Sequence, residues 1–347
     1  MTPPPEVLLD RFFRSGRHTD PDTYRGKQDL GRLEPSLGSL LINVQDALNE
    51  ELSHPPNTFA NGRCSKFHFD YADATCPNAL AFEHGGYAFI VVTMPLVTAL
   101  WHTCDHLSRA GQVTELLNLV ASDQQREAIA AVLFTTQLAF VVAHEFAHHD
   151  RGHFPHPDSP ANVWMEIMPG RTAGSLRLQA QEVDSDGWAV YLVLSHLMLG
   201  QRREGTRDLL NLQAAIDNSA DEILLSSFIL AIVAVLSVFP RDVFDKYTLS
   251  RLTHPPQAAR MNEIMRNVRS WCQQNRPALG AWMTLERFQG LMRAARQAIS
   301  ESNVSGDWSQ QTEFFLTEAG AEYFRQLHEE VILLMGNGRS ATVVAIR

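Results

Sequence analysis

The chain has 347 residues, of which 45% are hydrophobic and 20% charged, a balance that supplies buried cores and excludes a disordered polypeptide. Asp and Glu number 39 against 29 Lys and Arg, for a formal charge of −10, and no basic run offers a footprint for nucleic acid. Cys64, Cys76, Cys104 and Cys272 form no CxxC pair and the N-terminus shows no secretory pattern, so the chain reads as reduced and cytoplasmic.

In chain order, residues 1–40 are rich in Pro, Gly and charge and read as an irregular N-terminal arm. A short helix is expected over Ile42–Leu52. Turns and strands follow over Asn57–Pro77, where Phe67, Phe69 and Tyr71 alternate with polar neighbours. Gly85-Gly86 signals a turn, and Tyr87–Thr93 is a β-branched and aromatic run that reads as a strand, closed by Pro95 at the start of a helix. Ser122 and Gln125 make a capping-box pattern that opens a long apolar helix over Asp123–Asp150, with Gly152 placed to end it. Residues 151–174 read as a Pro- and Gly-rich loop. Further helices are expected over Leu176–Leu199, 206–217, 222–239, from Pro255-Pro256 to Gln274, near 280–300 and near 312–335. A turn at Gly336–Gly338 and a strand over Ala341–Ile346 would end the chain. The apolar run Ile223–Phe239 lies at the lower limit for a bilayer span, contains three serines and follows Asp221 and Glu222, so it reads as a buried core helix without stable membrane insertion.

The informative stretch is Val141–Asp150, which contains HExxH at His144, Glu145 and His148. On a helix, residues four apart share a face, so two imidazoles can grip one zinc ion while Glu145 sits beside it as a general base. The preceding residues are almost wholly apolar, so this helix end is buried, and buried histidines and a glutamate need partners that a metal supplies. A catalytic site needs a third protein ligand, and His149, His153, His156, Glu166, Glu182, Asp184 and Asp186 are candidates. Glu182 and Asp186 are again four apart. The economical arrangement takes Glu182 as third ligand and has Asp186 accept a hydrogen bond from the far nitrogen of His144. His153 and His156 are expected on the surface of the loop, and His149 off the metal face.

HEFAH followed by E-x-x-x-D resembles the gluzincin metallopeptidases. Pro77–Phe82, the Gly-Gly turn and Ile90–Thr93 resemble the sheet edge of the CAAX prenyl endopeptidase and HtpX protease family, and Leu252–Arg260 (LTHPPQAAR) resembles that family's helix start. The order of strand, HExxH, glutamate helix, apolar helix and THPxxxxR also resembles the phage-exclusion peptidase Lit family. Leu80 and the extra Glu83-His84 depart from the pattern.

The resemblance implies an α+β, mainly helical fold. Its zincin-like (minigluzincin) core would pack a small antiparallel sheet on the HExxH helix, over residues 41–275, with a C-terminal helical extension over 276–347. It implies a zinc endopeptidase holding one Zn2+ per chain through His144, His148 and Glu182, with Glu145 as base and Asp186 behind the ligands. His254 would donate to the oxyanion and Arg260 would brace that end. Asn78 matches a substrate-contacting asparagine. With Ala79, Tyr87 and Ile90 it would form a substrate-binding edge, the Tyr87–Thr93 strand pairing with an extended peptide. The partner is thus a protein or peptide, in a Lit-like host- or phage-defence role. A catalytically silent zinc-stabilised binding protein and a membrane-associated HtpX-type protease are the competing readings.

Overall fold

The computed structural model describes residues 3–15, 20–53, 66–119, 122–153, 163–165, 174–200, 202–212, 217–239, 245–300 and 309–337. The chain forms two compact units, residues 1–99 with 148–168, and residues 100–147 with 169–347.

The first unit is built on a five-stranded sheet in the order β1 (Tyr24–Lys27), β2 (Lys66–Ala74), β4 (Tyr87–Thr93), β3 (Ala79–His84) and β5 (Val163–Met165). The sheet is mixed rather than antiparallel, because β2 and β4 run parallel while the other neighbours are antiparallel. The cause is local. Gly85 and Gly86, at φ 59° and 86°, fold β4 back along β3 and into the space beside β2. The segment between β2 and β3 therefore crosses the end of β4 and is tied to it. Thr93 N donates to the Asn78 carbonyl at 3.0 Å, Thr93 Oγ1 donates to the Cys76 carbonyl at 2.9 Å, and Asn78 N donates to Thr93 Oγ1 at 2.8 Å. Strand β4 is thus interior, and the expected free edge at Tyr87–Thr93 does not exist.

The N-terminal segment is not an irregular arm. Pro5–Arg14 forms helix α1, whose Leu8, Leu9, Phe12 and Phe13 are buried on the sheet. Phe12 stacks on Phe82 at 4.0 Å, and Phe82 on Phe89 at 5.1 Å. Helix α2 (Pro35–Leu52) starts earlier than expected because the Glu34 carboxylate caps it by accepting from Ser36 N and Leu37 N. From α2, the Asn49 amide meets both backbone groups of Phe69, and Gln45 donates to Asp70 at 2.8 Å. The polar residues His68 and Asp70 of β2 are consequently buried rather than solvated, with Asp70 also paired to Lys27 at 3.1 Å and His68 at 3.3 Å.

The described residues of the second unit are helical. Helix α3 (Met94–Arg109) enters it, followed by α4 (Gly111–Leu116), α5 (Asp123–Asp150), α6 (Leu176–Met198), α7 (Arg202–Leu209), α8 (Asp217–Val238) and α9 (Gln257–Asn275). Then come α10 (Pro277–Trp282), α11 (Leu285–Ser300), α12 (Ser309–Phe315) and α13 (Glu318–Asn337). Helix α7 ends eight residues before the expected 217, which is instead the start of α8. Gly336 and Asn337, expected in a turn, continue α13, while Gly338 and the expected strand over 341–346 lie outside the described residues. Among the described residues, α5 and α8 are long and apolar enough to cross a bilayer. Their most apolar windows are 83% and 89% buried within the protein, as in a core helix.

If α1 is part of the first unit's core, Phe12→Ala lowers the free energy of unfolding by about 3 kcal/mol, the usual cost of emptying a packed aromatic site. Urea denaturation reads this, and a loss below about 1 kcal/mol, the range of surface changes, would show that α1 is dispensable.

Candidate metal centre

Helix α5 is held at both ends by the residues that mark it in the sequence. Gln125 N donates to Ser122 Oγ at 3.2 Å. At the far end Gly152 takes φ 69°, and the amides of Gly152 and His153 return to the carbonyls of His149 and His148. The last turn of α5 presents His144 and His148, both buried, and α6 presents Glu182 with no exposed surface. One ligand atom from each of His144, His148 and Glu182 lies within 4.8 Å of the others, so the group could hold a metal ion. Two ligands about 2.1 Å from one tetrahedral ion stand about 3.4 Å apart. The separation of His144 Nε2 from Glu182 Oε2 is 3.4 Å.

The opposite ring nitrogens are held from behind. His144 Nδ1 donates to Asp186 Oδ1 at 2.9 Å, leaving Nε2 for the metal side. Arg260, on α9, clasps the same carboxylate with two bonds, Nε to Oδ2 at 2.9 Å and Nη2 to Oδ1 at 2.8 Å. Burial pushes the Asp186 carboxyl upward, but the Arg260 guanidinium and the bond from His144 outweigh it and hold its pKa below the usual carboxylate range. Arg260 thus stands behind the metal-competent group, holding Asp186. His254 stands on the same side as Glu182, its Nε2 3.7 Å from Glu182 Oε2 and its Nδ1 3.0 Å from Thr253 Oγ1.

The other candidates separate cleanly. His149 turns to β4 and donates from Nε2 to the Phe89 carbonyl at 2.9 Å; burial lowers its pKa to about 4, a shift this bond only partly opposes. His153 is buried, contrary to expectation, because the turn at Gly152 folds its ring back until Nδ1 is 3.1 Å from Nδ1 of His148. Asp184 is buried but is not in the metal-competent group. His156 and Glu166 lie outside the described residues. Asn78 and Ala79 are buried in the first unit, where Asn78 Nδ2 donates to the Tyr24 hydroxyl at 2.6 Å. Ile90 is fully buried in β4, and half-buried Tyr87 packs against the α1 cluster. Neither strand edge at these positions is open to a peptide, since β4 pairs on both sides.

Sequence reasoning missed Gln179 and Gly174. Gln179 lies one turn before Glu182 and donates from Nε2 to the carbonyls of Leu249 at 2.7 Å and Leu252 at 2.9 Å. Gly174 N donates to the Arg251 carbonyl at 2.7 Å, and a Cβ there would lie 1.9 Å from the Leu252 carbonyl oxygen. The segment before His254 is thus pinned from α6 and from Gly174, just ahead of α6.

The Peptidase U49 family model matches residues 101–280, which contain α5, α6, α8, α9 and every residue of the metal-competent group. The chain belongs to the Peptidase U49 family. No curated protein and no solved structure matches it. Membership supports a protease, and the matched span is the one in which the two histidines, the glutamate and the Asp186–Arg260 pair converge.

Because Arg260 is buried against Asp186, Asp186→Asn strands a cation in the interior. The variant is expected to lose about 3–5 kcal/mol of stability in chemical denaturation, the cost typical of breaking a buried pair. A loss under about 1 kcal/mol would mean that water relieves the guanidinium.

Proposed function

We propose that this Peptidase U49 protein is a zinc-dependent endopeptidase that acts on protein substrates. The reading is carried by the buried His144, His148 and Glu182 group, whose two-imidazole, one-carboxylate donor set is the type used by catalytic zinc. His144, His148 and Glu182 would hold the ion, which when bound supplies Lewis-acid chemistry to water and to the scissile carbonyl. The remaining work falls to the protein. Glu145, next to the first histidine and buried, takes a proton from the attacking water and passes it to the departing amine, so that a C–N bond is exchanged for C–O and N–H. His254, with Nε2 on the Glu182 side, donates a hydrogen bond to the oxygen on which charge develops. Asp186 fixes the His144 tautomer, and Arg260 fixes Asp186.

The burial of α5 and α8 supports a protein that works without inserting them in a membrane. The likeness to Lit peptidases makes a host protein cut during phage infection the first substrate class to test, by comparing new peptide termini in cells expressing wild type and Glu145→Gln.

Glu145→Gln should retain zinc while cleavage falls by about 10³-fold, within the range for loss of a general base. His148→Ala should lose the metal in elemental analysis of the purified protein. Equal cleavage by wild type and Glu145→Gln would reject the base assignment. Full zinc occupancy with no cleavage by either would leave a zinc-stabilised binding protein.

A further inference from the structure

Helix α13 lies beyond the residues matched by the family, yet it reaches two helices of the metal centre through polar bonds. The Tyr323 hydroxyl donates to Gln179 Oε1 at 2.6 Å. Gln179 has no exposed surface, and its Nε2 holds the carbonyls of Leu249 and Leu252. Leu252 is two residues before His254. Five residues further along α13, His328 Nε2 meets Glu263 Oε1 at 2.9 Å, and Glu263 sits three residues after Arg260 on α9. Each anchor therefore grips its helix one turn from a residue of the centre, Glu182 on α6 and Arg260 on α9. Along the same face of α13, Tyr323, Leu327 and Val331 pack with Val183, Ala259 and Leu249.

A phenylalanine at 323 would fill the same apolar space, so packing does not explain the hydroxyl. Its bond completes an amide whose other end is committed to two backbone carbonyls. Without it, Gln179 Oε1 is left in an apolar setting, and the amide turns to find another donor, releasing a carbonyl of the 249–252 segment. From this geometry we infer that α13 is a positioning element of the active centre. Tyr323 acts through Gln179 to hold Leu249–Leu252, and so sets His254 beside Glu182. The inference rests on the role given to His254 above. Tyr323 is a positioning residue, since it touches neither the metal-competent group nor His254.

The test uses the full chain, fluorescein-labelled casein as substrate, and amide hydrogen exchange over residues 249–254. Tyr323→Phe should exchange about tenfold faster there, with the rest of α6 unchanged. Its kcat should fall about tenfold, with KM within about twofold and metal content equal to wild type, as expected when a group is displaced rather than removed. His328→Gln, which loosens the second anchor, should lower kcat in the same direction. Arg325→Ala, on the same helix but in surface ion pairs with Glu322 and Glu329, should match wild type. Unchanged exchange in Tyr323→Phe overturns the inference, as does acceleration spread over all of α6, a raised KM with unchanged kcat, or loss of metal. Should wild type leave casein intact, the proposed protease reading fails on this probe, and the exchange result alone decides whether α13 positions the segment.

Discussion

The second unit's chemistry depends on one buried carboxylate. Asp186 has no exposed surface, and an isolated carboxylate in that setting would be strongly disfavoured. It is tolerated because a forked guanidinium from α9 and an imidazole from α5 converge on it, each within 2.9 Å. Three helices distant in sequence are joined at that point. An apolar triple contact of the same size could be as stable, but it could not dictate which nitrogen of His144 faces Glu182. The polar junction converts helix packing into a choice of ring orientation, and the metal-competent group follows from that choice.

The same logic extends outward in layers. Glu182 faces the histidines, Asp186 stands behind His144, Arg260 behind Asp186, and Glu263 one turn from Arg260 receives both Arg266 and His328. Asp186 and Glu263 are each met by partners from a different helix or a different turn. Gln179 does for the backbone what Arg260 does for a side chain, taking the carbonyls at the two ends of the short 3-10 turn Leu249–Arg251.

Much of this was legible in the residues. The period of HExxH on an apolar run gave α5, and Ser122 and Gly152 gave its ends to within a residue because both act through local backbone geometry. The spacing of Glu182 and Asp186 likewise placed both carboxylates on one face of α6. What stayed hidden has physical reasons. The stripe of Leu8, Leu9, Phe12 and Phe13 was masked by surrounding Pro and charge, although four buried apolar residues at helical spacing make α1. His153 looked like a loop residue because its burial depends on a left-handed glycine that reverses the chain. The bond between Tyr323 and Gln179 joins positions 144 residues apart, a separation no local pattern reports. Strand alternation marked β4 as a strand, but alternation does not name its neighbours, and so its interior position had to come from the structure.

That interior position constrains how the first unit can assemble. Hairpin formation between β3 and β4 closes a loop of two glycines and is entropically cheap, whereas β2 and β4 are parallel and cannot meet through a tight turn. If β3 reached β2 first, β4 would be shut out of the sheet. Local closure therefore favours the β3–β4 hairpin, and the Thr93 bonds to the overpass between β2 and β3 can form only where both β3 and β4 have taken their places.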